Sequence, residues 1–344
     1  MKLNNSRFYT LWILVFVALL SGCFPSNNTP LQEVLLQGRT MGTTYNIKVV
    51  ADPARVDQLQ LQQAIDKRLV QVNQEMSTYI PDSELSLLNK ADGAEAITLS
   101  EGLSAVIAES IRLGEYTNGS LDVTVGPLVN LWGFGPDARP EKVPSELELV
   151  KVRSHIGIDK VSLNGNQFSK AEPEVYVDLS TIAKGYGVDV IAELLESYGI
   201  NRYLVEIGGE MRLKGFKSTG ELWHVAVEKP VGDGSRQVHQ IIVPQDNAVA
   251  TSGDYRNYIE VDGKRYSHII DPNTQQPIDH KLVSVTVIHP SAMTADGLST
   301  AIMVMGPERG LAFAQERDLA AMLIVKEGDG FVELNTVKFV GYLK

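Results

Sequence analysis

The sequence predicts an α+β protein, with mixed or antiparallel sheets and helices packed on them. Three observations carry this. Short runs rich in Val, Ile, Thr and Tyr are interleaved with longer stretches whose apolar residues recur at helical spacing. From Leu222 to Ile270 the runs are mostly strand-like, and helices mixed with antiparallel-looking strands point to α+β or mixed α/β. No low-complexity linker and no internal repeat follows residue 32. One compact domain with room for two lobes is therefore expected, although 344 residues would suggest about two domains by length alone.

Gly38 to Val50 reads as a strand, because Tyr45, Ile47 and Val49 alternate with polar neighbours. Val56 to Met76 carries Leu59, Leu61, Ala64, Ile65, Leu69 and Val72 at helical spacing. Tyr79 to Ser83 is a turn around Pro81, and Ser83 opens a short helix. Ser100 caps a helix that runs to Tyr116. A short helix spans Thr124 to Trp132, and a loop follows from Gly133 to Pro144. Glu174 to Val177 is a short strand ending at Asp178, with a helix from Ser180 to Tyr198. Strands are expected over 203–206, 223–227, 238–243, 248–251, 258–261 and 282–289. Helices then cover 292–305 and 308–315, and strands at 320–325 and 331–334 close the chain.

The N-terminus does not belong to this fold. Lys2 and Arg7 precede an apolar run from Leu11 to Leu20, too short to span a bilayer comfortably. Leu20-Ser21-Gly22-Cys23 then resembles a bacterial lipobox, in which cleavage precedes the cysteine and its thiol is lipidated. Cys23 is the only cysteine, so no internal disulfide is possible, and acylation gives a lone thiol in an exported protein a purpose. Residues 1–22 are expected to be a lipoprotein signal peptide, 23–32 a polar tether, and 33–344 the folded domain. The expected location is the bacterial cell envelope, lipid-anchored to a membrane and facing the periplasm. Removing the signal leaves 29 basic against 42 acidic residues, a formal charge of −13. An acidic chain without a Lys/Arg cluster argues against nucleic acid as a partner.

Four motifs far apart in sequence carry the chemistry. In Asp178-Leu179-Ser180-Thr181-Ile182-Ala183-Lys184-Gly185-Tyr186 a strand ends in Asp and a helix starts, offering free N–H groups and a lysine to an anion. A capped core helix with an exposed lysine would read the same way. In Thr294-Ala295-Asp296-Gly297-Leu298-Ser299-Thr300, Asp296 and Thr300 share a helix face and offer oxygen ligands of the kind Mg2+ takes. A helix cap and a core hydroxyl would also account for them. His268-Ile269-Ile270-Asp271-Pro272 places a histidine at a strand end, where it could serve as a base or simply as a structural residue. The fourth motif is Gly119-Ser120-Leu121-Asp122-Val123-Thr124. The dinucleotide, P-loop, zincin and esterase signatures are all missing, as are cysteine pairs for zinc or iron–sulfur.

In this order the motifs resemble those of the FAD:protein FMN transferase family, also called the ApbE family. Met41-Gly42-Thr43-Thr44, Met76-Ser77-Thr78-Tyr79, Glu206-Ile207-Gly208-Gly209-Glu210 and Ala250-Thr251-Ser252-Gly253-Asp254 fit the same pattern, so the resemblance covers roughly 37–340. It implies a single domain with a T-fold-like core. It implies Mg2+-dependent transfer of FMN from FAD to a Thr or Ser hydroxyl of a target flavoprotein, with AMP released. The acceptors it implies are subunits of membrane redox complexes such as sodium-translocating NADH:quinone oxidoreductases. Carried over by motif, Asp296 and Thr300 are expected Mg2+ ligands, with the backbone carbonyl of Thr181 a third. Met41, Tyr79, Ser120, Leu121, Asp122, Asp178, Lys184 and Ile270 are expected to line the FAD. His268 is expected to deprotonate the acceptor hydroxyl, with Asp296 as the second catalytic residue. The same site could instead hydrolyse FAD to FMN and AMP, or merely hold a flavin as a periplasmic lipoprotein.

Overall fold

The computed structural model describes residues 31–344, apart from 55, 94, 136–142, 232–236, 255–257 and 262–263. The expected signal peptide, Cys23 and nearly all of the tether lie outside the described residues, as does most of the loop expected over 133–144.

Eight strands form one sheet, and their order across it is their order along the chain. They are β1 (Gln32–Thr40), β2 (Thr43–Ala51), β3 (Tyr203–Ile207), β4 (Glu210–Lys214), β5 (Ala248–Gly253), β6 (Leu282–His289), β7 (Ala320–Glu327) and β8 (Gly330–Asn335). Each is antiparallel to the next, so the sheet is a meander with long insertions. Helices α1 (Gln58–Met76), α2 (Glu84–Lys90), α3 (Glu101–Tyr116), α4 (Gly126–Leu131), α5 (Glu146–Arg153) and α6 (Ala183–Ser197) all lie between β2 and β3. Helix α7 (Ala292–Glu316) joins β6 to β7, and α8 (Val337–Val340) ends the chain.

The sheet is buried on both faces, and β7 shows how its sequence achieves this. Ala321 and Leu323 join the core under the helices, whereas Ala320, Met322 and Ile324 join a core on the opposite face. That second core also takes in Trp223 and Phe339, and the hairpin of Val225–Glu228 with Val238–Ile242. Alternate residues of a strand point to opposite faces, so a continuous apolar run suits a strand covered twice. Each buried Leu or Ile side chain contributes about 2 kcal/mol through the hydrophobic effect.

Four expectations need correction. The strand expected over 38–50 is two strands, turned at Met41 (φ 48) and Gly42 (φ 72). Positive φ at both central residues matches the twist of a tight hairpin. The run Glu174–Val177 is not a strand. Val175 and Val177 are buried, but the Asn89 side chain takes the place of a neighbouring strand: Val177 N–H donates to its Oδ1 and its Nδ2 donates to Val177 O, both at 2.8 Å. The helix expected from Ser180 starts at Ala183, because Ser180 N–H is drawn back onto Asp178 Oδ1 at 2.9 Å. The helix expected over 124–132 is likewise trimmed to α4. Sequence reasoning passed over β1, β4, α5 and the hairpin of Val161–Asn164 with Gln167–Lys170. The break between 305 and 308 falls where expected, at Gly306 (φ 79), followed by Pro307.

Candidate active site

The first turns of α6 and α7 meet backbone to backbone. A side chain on Gly185 would place its Cβ 2.3 Å from Ala292 O, so only glycine permits this approach. Gly185 N–H donates to Asp296 Oδ2 at 2.9 Å. Lys184 Nζ lies 3.6 Å from Asp296 Oδ1 and 3.2 Å from Glu210 Oε1. Glu210 opens β4 directly after Gly208 (φ 60) and Gly209 (φ 109), a turn that side chains would strain. A Cβ on Gly208 would also stand 2.8 Å from Thr43 Cγ2. On β5, Ser252 Oγ lies 2.8 Å from Ser299 Oγ and 3.1 Å from Thr300 Oγ1, which ties the strand to α7.

Burial dominates the electrostatics. It pushes the Asp296 carboxyl above the usual aspartate range, against the pull of Lys184 and the Gly185 N–H. It likewise raises Glu210, which Lys184 only partly offsets. Burial alone would depress Lys184, but the two carboxylates more than reverse that and hold it charged above the ordinary lysine value. Asp178 is raised by burial, with the Ser180 N–H opposing. Two oxygens here, Thr181 Oγ1 and Glu210 Oε2, are buried without a partner among the described residues. Orphaned buried oxygens are costly, and at a cavity wall they suit a bound group that would complete their hydrogen bonds.

These residues line a cavity of about 430 Å³. It brings together His268, Asp296, Thr300, Thr181, Lys184, Asp178, Tyr79 and Ile270, eight of the residues singled out in the sequence. A second hollow of about 590 Å³ shares Thr78, Tyr79, Asp178, Ser180 and Lys184 with it and adds Met41, so the two form one elongated cleft. The His268 ring stands edge to face with Phe134, at 6.3 Å between centroids.

Ser120, Leu121 and Asp122 line neither hollow. All three are buried, and their segment is tied to the cleft-lining Asp178, whose N–H donates to Val123 O at 2.7 Å. Asp122 turns its carboxylate onto Thr124, 2.6 Å from Oγ1 and 2.8 Å from N. Leu121 packs beneath Gly297 of α7. Ser120 Oγ is buried without a partner among the described residues. Sequence reasoning assigned no role to Glu210, Thr251, Ser252 or Phe134, which the cavity contains. The glycine turn before Glu210 and the run Ala250–Asp254 were the available signals. A further cluster of potential ligands, His155, Glu172 and Glu174, lines no part of the cleft, and Glu172 is already paired with Lys160 at 2.8 Å.

The model of the ApbE family matches residues 41–323. The chain belongs to the ApbE family. An FAD:protein FMN transferase of Vibrio cholerae is 53% identical over 96% of this chain and 98% of its own length. That of Escherichia coli is 38% identical over 93% of this chain and 92% of its own. The solved flavin transferase ApbE from Vibrio cholerae superposes with a TM-score of 0.85, covering 91% of this chain and 100% of that one. The apo form of the Pseudomonas stutzeri flavinyl transferase ApbE, 38% identical, gives 0.84 over 91% of this chain and 97% of that one. The family's α+β architecture is thus that of this chain.

Proposed function

We propose that this chain transfers FMN from FAD to a Thr or Ser hydroxyl of an acceptor protein and releases AMP. The observation that carries the proposal is the single cleft in which Asp296, Thr300, Thr181, Lys184 and His268 meet, in a member of the ApbE family. In the transfer, the acceptor oxygen forms a bond to the FMN-side phosphorus and the diphosphate P–O bond breaks. AMP departs with the electron pair, and the acceptor's proton passes to His268 as base. Lys184 supplies fixed positive charge to the phosphate oxygens, and Tyr79 offers a flat face to an aromatic ring of the substrate.

The donor set suits Mg2+. Asp296, Thr300 and the Thr181 carbonyl are all oxygen ligands, the donor type Mg2+ prefers, and Lys184 stands 3.6 Å from Asp296 and 3.2 Å from Glu210 beside them. Bound there, Mg2+ would neutralise charge on the diphosphate during transfer. Asp296 would be its one charged ligand, and Lys184 and Gly185 N–H keep that carboxylate oriented.

The proposed setting is the periplasmic side of a bacterial membrane, with acylated Cys23 as the anchor and subunits of membrane redox complexes, such as sodium-translocating NADH:quinone oxidoreductase, as acceptors. Two measurements test this reading. Purified protein with FAD, Mg2+ and an acceptor domain should add the mass of FMN to the acceptor. FMN and AMP without an adduct would instead make the protein a hydrolase. Membrane-extracted protein should carry lipid on Cys23, and an unmodified thiol in its intact mass would reject the anchor.

A further inference from the structure

We propose that Asp189 is a positioning residue for the catalytic cation site, and that α6 and α7 hold the site by capping each other. The inference rests on the function proposed above. Asp189 is buried on α6, behind the cleft, and it lines a separate cavity of about 770 Å³. Its Oδ1 accepts from Ala292 N at 3.0 Å and Arg212 Nη1 at 2.9 Å. Its Oδ2 accepts from Met293 N at 3.0 Å and Ser291 Oγ at 2.8 Å. Ser291 in turn is the N-cap of α7 and accepts from Thr294 N at 3.2 Å. The opening N–H groups of α7, which no helix can satisfy internally, are therefore met by Asp189 and by a serine that Asp189 holds.

The reverse contact completes the pair. Helix α6 has no side-chain cap of its own at Ile182, and its Gly185 N–H donates to Asp296 of α7. Each helix thus lends a carboxylate to the other's start, and Gly185 keeps the two backbones close enough to do so. Met293 and Asp296 are three residues apart, a rise of about 4.5 Å along the helix. A shift of the α7 start against α6 would carry Asp296 and Thr300 with it. Asp189 acts on the cation site through the backbone of α7, with Arg212 fixing its carboxylate from β4.

The test compares Asp189→Asn and Ser291→Ala with Asp57→Ala, which removes the exposed cap of α1 away from the cleft. Mg2+ binding to the FAD-loaded protein is measured by calorimetry, half-saturating Mg2+ by transfer to an acceptor, and stability by thermal unfolding. Asp189→Asn should weaken Mg2+ roughly ten-fold, as removal of partners that orient metal ligands does, with most of the transfer rate restored at saturating Mg2+. Ser291→Ala should move in the same direction by less, and it carries the test if Asp189→Asn fails to fold. Asp57→Ala should lower the unfolding temperature and leave Mg2+ affinity alone. A folded Asp189→Asn protein with wild-type Mg2+ affinity would overturn the positioning role while leaving the transferase reading intact. So would an equal loss of affinity in Asp57→Ala. A wild-type protein that binds no Mg2+ would bring down the cation site itself, and this inference with it.

Discussion

The two sides of α6 use the same residue types to opposite ends. Behind the helix, Asp189 spends both carboxylate oxygens on four donors from α7 and Arg212. In front, Lys184 stands between Glu210 and Asp296, while Glu210 Oε2 and Thr181 Oγ1 find no partner among the described residues. An unpaired buried oxygen costs about 1–3 kcal/mol, so the front is unfinished where the network around Asp189 is complete. Incomplete pairing next to a cavity marks the working face, and complete pairing marks the scaffold that aims it.

The comparison breaks first at Asp296. On the proposed function, Asp296→Ala should cut transfer by roughly a thousand-fold, since it would remove the one charged ligand offered to Mg2+. Transfer assays across a Mg2+ titration check this, and a variant that keeps its rate would show that the front face is mere packing. His268→Ala comes next, with transfer down roughly a hundred-fold and FAD affinity, read by flavin fluorescence, unchanged. Lost FAD binding would instead make His268 part of the binding wall.

Glu210→Gln separates stability from function. Burial raises the Glu210 carboxyl well above its usual value, so its charged form is disfavoured in the folded state and subtracts from stability above that usual value. The amide should therefore stabilise the fold at neutral pH by about 1 kcal/mol or less, while slowing transfer roughly ten-fold because Lys184 loses one of its two anchors. A drop in denaturation midpoint would place Glu210 with the scaffold.

The smallest effect concerns His289, behind α6. Its pKa is lowered, chiefly by burial, and its Nδ1 accepts from Ser291 N at 3.1 Å. The unfolded chain takes up a proton at about pH 6.5, whereas the folded one resists it, so stability is lost as pH falls through that value. His289→Gln should flatten this acid limb, as urea midpoints at neutral and mildly acidic pH would show. An unchanged slope would mean that other groups set it.

Much of this was legible in the sequence, because the helices announce themselves through caps and spacing. Ser83 and Ser100 each accept from the N–H three residues on. The convergence of Asp296, Thr300, Lys184 and His268 was reached through motif resemblance, since each residue alone also fitted a structural role. What escaped was non-local. Nothing around Glu174–Val177 says that Asn89 will take the place of a strand partner. Ser120, Leu121 and Asp122 are buried and line neither hollow of the cleft, and nothing in their motif announces that burial. Asp189 has no motif around it, because its α7 partners lie about a hundred residues downstream.

The order of the strands has a consequence for how the molecule is assembled. β1 and β2 can zip together at once, but β2 finds β3 only after residues 52–202 have been placed between them. Closing so long a loop is slow, and until it closes β2 presents a bare row of backbone donors and acceptors. A nascent chain interrupted within that insertion would keep a sticky border for another copy of itself, so the same insertion that supplies half of the cleft also sets the moment at which the chain is most prone to aggregate.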